Sequence, residues 1–304
     1  MRILGVLGKR LQWIAPAYNG SGVSIPTRQG REWYVDANGF LNGDGRYDRP
    51  MQTIQRAVDR ARDFDTIRIF PGSNYVENVV IPDGLHYLSL LAATWHGNAK
   101  RVAIAPASGI ALNVKAVKGF RCRGIRAVGT SAYGISMAGE GGLFEDCDPT
   151  SDTTAGFAFD SSKTTADYTG SGTVIRGGVI RDCGGAGLRS VASEDVAEIN
   201  YGIQATNVII DGVQFYTNTG DDIDDDAAAG NPTYFYQWEI VRCKFMTKNK
   251  TTYLDMDGSN QGGTDCLIHD NDFATASLDG TKIQKPTNAM FINNRSQTGI
   301  ETAL

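Results

Sequence analysis

NVIIDGVQF at 207–215, WEIVRCKF at 238–245, CLIHDNDF at 266–273 and MFINNRS at 290–296 repeat one pattern: an apolar strand, a small or turn-forming residue, then another apolar side chain. The same pattern runs back through TVIRGGVI at 173–180, LFEDC at 143–147 and FRCRGI at 120–125. Taking Gly124, Cys147, Gly178, Gly212, Cys243, Asn271 and Asn294 as the turn positions, the spacings are 23, 31, 34, 31, 28 and 23 residues. A second strand starts at Gly134, Gly156, Gly187, Asp222, Tyr253 and Lys282, which lie 10, 9, 9, 10, 10 and 11 residues past those turns. Two registers held together while the repeat length varies place the extra residues in loops. A single coil of this size cannot bury its own apolar side chains, whereas a stack buries each coil against its neighbours. The expected fold is all-β: a right-handed, single-stranded parallel β-helix.

Outward from the repeat, TIRIFPG at 66–72, ENVVI at 77–81, YLSLLAA at 87–93 and RVAIAP at 101–106 are short, Gly/Pro-bounded strands. They follow a short helix whose apolar stripe is Ile54, Ala57, Val58 and Ala61, with Asp48 as its expected cap and Pro50 in its first turn. One helix at the head of a strand series reads as a plug over the open end of the stack. Residues 1–30 carry no sustained period and read as an irregular docking arm with Leu11, Trp13 and Ile14 as its contacts. The β-helix then spans 31–298, with a tail at 299–304.

The 304 residues carry 29 Lys and Arg against 34 Asp and Glu, and the net charge of -5 gives no support to a nucleic-acid surface. No run reaches the length of a membrane span, and Lys9 and Arg10 interrupt the opening apolar run, against an export signal. The cysteines at 122, 147, 183, 243 and 266 lack metal-ligand spacing and read as buried free thiols. NGDGRYD at 42–48 reads as a turn, not an EF-hand loop, and no phosphate-loop or dinucleotide signature is present.

The polar residues concentrate in TGDDIDDD at 219–226. With Ile223 inward, alternation turns Asp222 and Asp224 outward, and stacking sets Asp224 beside Asp255 and Asp226 beside Asp257. Three chemistries are open to such a cluster. Asp221, Asp222, Asp224 and Asp255 could form a carboxylate pair in which one retains a proton, as in glycoside hydrolysis. Asp224, Asp226, Asp255 and Asp257 could supply oxygen ligands to calcium. The whole could be a solvated acidic face, with no cofactor required. Tyr216, Tyr234 and Tyr236, with Lys282, are the candidate carbohydrate contacts near this region.

WYVDANGFLNGDG at 33–45 followed by TIQRAVDRARDFDTIRIFPGSNYVENVVI at 53–81 resembles the opening of the pectin-lyase-like superfamily of right-handed β-helices. The resemblance covers roughly 32–298 and implies the fold. The superfamily includes polysaccharide lyases, hydrolases, phage tailspikes and noncatalytic virion proteins. VIIDGVQFYTNTGDDI at 208–223 also resembles polygalacturonases, where Asp221 and Asp222 would match the paired aspartates of family 28 glycoside hydrolases. The next coil lacks that family's Ser/Gly-His-Gly motif, His269 stands in the other register, and no Arg-x-Lys follows. The expectation is therefore a noncatalytic phage virion protein, a head-decoration or tail-associated spike component made in the host cytoplasm. It would be homotrimeric, bound to other virion proteins through its arm and facing host polysaccharide, without inserting in a membrane. A glycan-binding or glycoside-hydrolysing β-helix is the alternative.

Overall fold

The computed structural model describes residues 30–72, 74–93, 102–160, 170–191, 204–224, 234–248, 250–256, 265–275, 278–284 and 288–301. Among them the chain winds through three faces per coil, and nearly every strand pairing is parallel. The first face is a ten-stranded sheet from Glu32–Phe40 to Met290–Ile292. The second is built from a three-stranded and a six-stranded sheet, and the third from an eight-stranded sheet ending at Ile283–Gln284. The parallel β-helix expected from the repeat is the fold of this chain.

Strand register turns the sequence repeat into columns. On the first face Trp33, Ile67, Leu90, Cys122, Phe144, Ile175, Ile210, Ile240, Ile268 and Phe291 stand one above the other, all buried. On the second, Ile180 is followed by Phe215, Phe245 and Phe273, whose rings stack at 5.0 and 4.5 Å between centroids. Each fully buried side chain of this size contributes about 1.5–3 kcal/mol of transfer free energy. A one-residue slip would turn a whole column outward, so the core itself fixes the register.

The turn between the first two faces takes two residues, and the sequence positions named above mix them. The residue with left-handed backbone is Gly124, Asp146, Gly177, Gly212, Arg242, Asp270 or Asn293, with φ between 52° and 72°. The next one along is Ile125, Cys147, Gly178, Val213, Cys243, Asn271 or Asn294; Gly178 too has positive φ, and the other six have buried side chains. Gly124 and Gly212 thus belong to the first position and the other five to the second. Over the last three coils that position forms a ladder: Asn271 Oδ1 accepts from the Cys243 amide at 2.8 Å, and Asn294 Oδ1 from the Asn271 amide at 3.1 Å. All five cysteines are buried free thiols, and burial pushes the Cys183 and Cys243 thiols up to about 12.

The helix spans Ile54–Val58, and its cap is Thr53, not Asp48. Glu77 reaches back from the next turn of chain to accept from the Ile54 and Gln55 amides at 2.8 and 2.9 Å, which satisfies the free donors of the first turn. Pro50 lies before the helix, where its carbonyl accepts from the Phe40 amide. Around a turn at Arg46–Arg49, Gly45, Pro50 and Met51 lie against the first strand, which delays helix entry. At the other end, Gly299–Glu301 folds back antiparallel along Asn294–Ser296, so the boundary drawn at 298 falls inside a hairpin. The docking arm, with Leu11, Trp13 and Ile14, lies outside the described residues apart from Gly30.

Candidate functional site

The acidic cluster sits on the third face. Leu188, Ile223, Leu254 and Ile283 form its inward column, and Arg189, Asp224, Asp255 and Gln284 the adjoining column. The expected neighbours Asp224 and Asp255 are therefore paired in register. Asp221, just before the strand, joins them: the three carboxylates lie within 4.8 Å of one another, close enough to share a cation. Asp226 and Asp257, proposed as further calcium ligands, lie outside the described residues.

Arg189 is a member of this site that the sequence reading passed over. Its Nε and guanidinium nitrogen donate to Asp224 Oδ2 at 2.9 and 2.6 Å, so this carboxylate already has a cation on it. Asp221 lacks such a partner, and its carboxyl is pushed up to about 6, first by burial and then by Asp224. It stands beside two carboxylates, one of which, Asp224, is held by Arg189. Physically, this is a carboxyl that takes up a proton in mildly acidic solution, at the edge of the third sheet face.

Asp222 corrects the alternation argument. It is fully buried rather than outward, because it belongs to the corner preceding the two-residue strand Ile223–Asp224, where period-two alternation does not apply. Both the Asp222 and Ile223 amides donate to the Tyr253 carbonyl at 3.0 Å, a bifurcated arrangement that turns Asp222 into the stack. Its Oδ1 accepts from Lys250 Nζ at 2.6 Å and from Asn218 Nδ2 at 2.9 Å, while Oδ2 is buried with no partner. Burial raises the Asp222 carboxyl, opposed by Lys250 and Asn218. Asp221 and Asp222 thus face different environments and do not form the side-by-side pair that the polygalacturonase resemblance implied.

The candidate sugar contacts do not converge on this cluster. Tyr216 is exposed on the second face, in Gln214–Tyr216, across a corner from Asp224. Tyr236 is exposed on Tyr234–Tyr236, which pairs with Gln204–Thr206 ahead of the first face. The Tyr234 side chain lies outside the described residues. Lys282 donates Nζ to the Lys250 carbonyl at 2.7 Å, supporting the chain that carries Lys250.

No family model matches the chain, and no curated protein matches it. Among solved structures it is similar to an alginate lyase from Paenibacillus sp. str. FPU-7, with a TM-score of 0.61 and 16% identity over 88% of this chain and 87% of that one. It is also similar to pectate lyase Pel9A, with a TM-score of 0.48 and 18% identity over 88% and 75%. A third likeness is to the ORF18 protein of Geobacillus virus E2, with a TM-score of 0.44 and 9% identity over 88% and 63%. At these identities the likeness is one of fold: the chain is a right-handed parallel β-helix.

Proposed function

We propose that this β-helix is a noncatalytic structural component of a bacteriophage particle, a head-decoration or tail-associated spike subunit, assembled as a homotrimer and anchored through residues 1–30. The observation that carries this reading is the state of the Asp221–Asp222 pair. Hydrolysis of a glycosidic bond needs two carboxyl groups facing one substrate, and here Asp222 is buried beneath Lys250 while Asp224 is held by Arg189. Ladders of Asn, Cys and Phe running from coil to coil suit a rod whose task is to persist.

The test uses particles of the encoding phage. Wild-type particles should contain the chain, and particles made with a chain lacking residues 1–30 should not, although that shortened chain keeps the β-strand circular dichroism of the full one. Absence of the chain from purified wild-type particles would overturn the virion reading; incorporation of the shortened chain would overturn the anchoring role of the arm.

A second reading is favoured by Asp221, whose carboxyl at about 6 stands beside Asp224 and Asp255: glycan processing on the third face. It predicts that purified protein releases products from a host-surface polysaccharide, and that Asp221→Asn and Asp224→Asn each abolish release without unfolding the chain. Such turnover, lost in both variants, would replace the first reading.

A further inference from the structure

Lys250 and Asp222 are the one buried Lys–Asp ion pair among the described residues, with side chains 7% and 0% exposed. They come from successive coils, 28 residues apart, and neither takes part in the surface cluster above. The pair is tightly held. Lys250 Nζ lies 2.6 Å from Asp222 Oδ1 and also donates to the Asn218 carbonyl at 3.3 Å, while the Lys250 carbonyl is fixed by Lys282. Asn218 is itself fixed, its Oδ1 accepting from the Cys183 amide at 3.3 Å. There is no slack beside them: a Cβ on Gly187 would fall 2.7 Å from both Asn218 Nδ2 and the Asp222 carbonyl.

The two oxygens of Asp222 are not equivalent. Oδ1 receives both donors, whereas Oδ2 is buried without any. An ion pair in this setting bears the desolvation cost of both charges with one oxygen uncompensated. Held this way, the amine nitrogen is one carboxylate bond from Cγ, the kind of fixed approach that replaces a collision by an intramolecular step.

We propose that Lys250 and Asp222 condense into an intramolecular isopeptide bond that staples these two coils. Within the pair the ammonium proton passes to Oδ1, the oxygen that Nζ touches, and the freed Nζ lone pair attacks Cγ. Oδ2 carries the charge of the tetrahedral species. The Cγ–Oδ1 bond then breaks, and Oδ1 leaves as water with that proton and one proton from nitrogen, while Oδ2 becomes the amide oxygen. No oxidant or co-reactant is consumed. The product amide removes both buried charges.

The experiment is mass spectrometry of the full-length chain under denaturing conditions, followed by trypsin. The intact mass should fall short of the sequence mass by one water. Cleavage after Lys250 should fail, leaving a branched species that joins 190–242 to 249–282. Lys250→Arg, which keeps a cation but cannot form the bond, should restore the full mass and linear peptides. A wild-type chain of full mass whose peptides are all linear overturns the proposal. So does a water lost without the branched species, as succinimide formation at an Asp-Gly step would give.

Discussion

Asn271 and Asn294 stand one above the other in successive coils, and one amide serves two contacts: Asn271 Nδ2 donates to Asn294 Oδ1 at 2.9 Å and to the Ile240 carbonyl at 3.0 Å. Asn294 Nδ2 repeats the second contact on the Ile268 carbonyl at 2.9 Å. The side-chain oxygens satisfy the corner amides of Cys243 and Asn271, and the side-chain nitrogens tie each corner to a strand carbonyl of the preceding coil. Asn218 does the same one face further on, between the Cys183 amide and the Ile180 carbonyl.

Asn271→Ala should therefore strand the buried Cys243 amide, at a cost of about 1–3 kcal/mol for a buried group left unsatisfied. Urea unfolding should show a lower midpoint with an unchanged slope. A substitution of Asn293, whose own side chain takes no part in the ladder, should cost less.

Much of this was legible in the sequence. The two registers, read from spacing alone, place Asp224 beside Asp255, and the same alignment sets Arg189 in that column, since Gly187-Leu188 stands above Asp222-Ile223. What could not be read was anything decided at a corner. Alternation belongs to extended backbone, so it sent Asp222 outward although the chain is turning there. Lys250 reaches it from a segment between strands, with no period to mark it. The turn positions were off by one in two coils because glycine suits the left-handed slot, whereas Asn and Cys mark the buried slot after it.

Glycines at close approaches and glycines at open turns should respond differently to one added methyl. A Cβ at Gly134 would meet the carbonyl oxygens of Ala127 and Thr150 at 2.6 Å and of Gly156 at 2.8 Å, all backbone. Gly134→Ala should cost about 1–3 kcal/mol or more through displaced strands. Gly212 has φ +67° and nothing within 4 Å. Gly212→Ala should cost only the left-handed penalty of about 1–2 kcal/mol, and Gly212→Asn less than that. Thermal midpoints of the three variants should fall in that order.

Arg189 separates the charges of the third-face cluster. Removing it with Arg189→Ala takes this ion pair from Asp224 beside Asp221 and Asp255, and Asp224→Asn in the same chain should relieve part of the loss. The expected coupling in a double-mutant cycle is about 1 kcal/mol, near the upper end for partly exposed pairs. It should shrink in high salt; a cycle that closes to zero at low salt would mean that the two side chains act independently.

His269 gives the chain a pH-dependent element on the first face. Its Nε2 lies 3.1 Å from Glu239 Oε1 and its Nδ1 2.7 Å from Asp270 Oδ2, and the Glu239 hydrogen bond, with Asp270 behind it, raises the imidazole above its ordinary value of 6.5. A group whose folded value is raised contributes its full stabilisation below the unfolded value and loses it as pH rises through the folded one. The thermal midpoint should thus decline above pH 6.5 as the imidazolium is discharged between its two carboxylates. In His269→Gln the titration is gone, and that part of the decline should vanish while the contributions of the other groups persist. A variant whose midpoint falls as steeply as the wild type above pH 6.5 would place the pH dependence elsewhere in the chain.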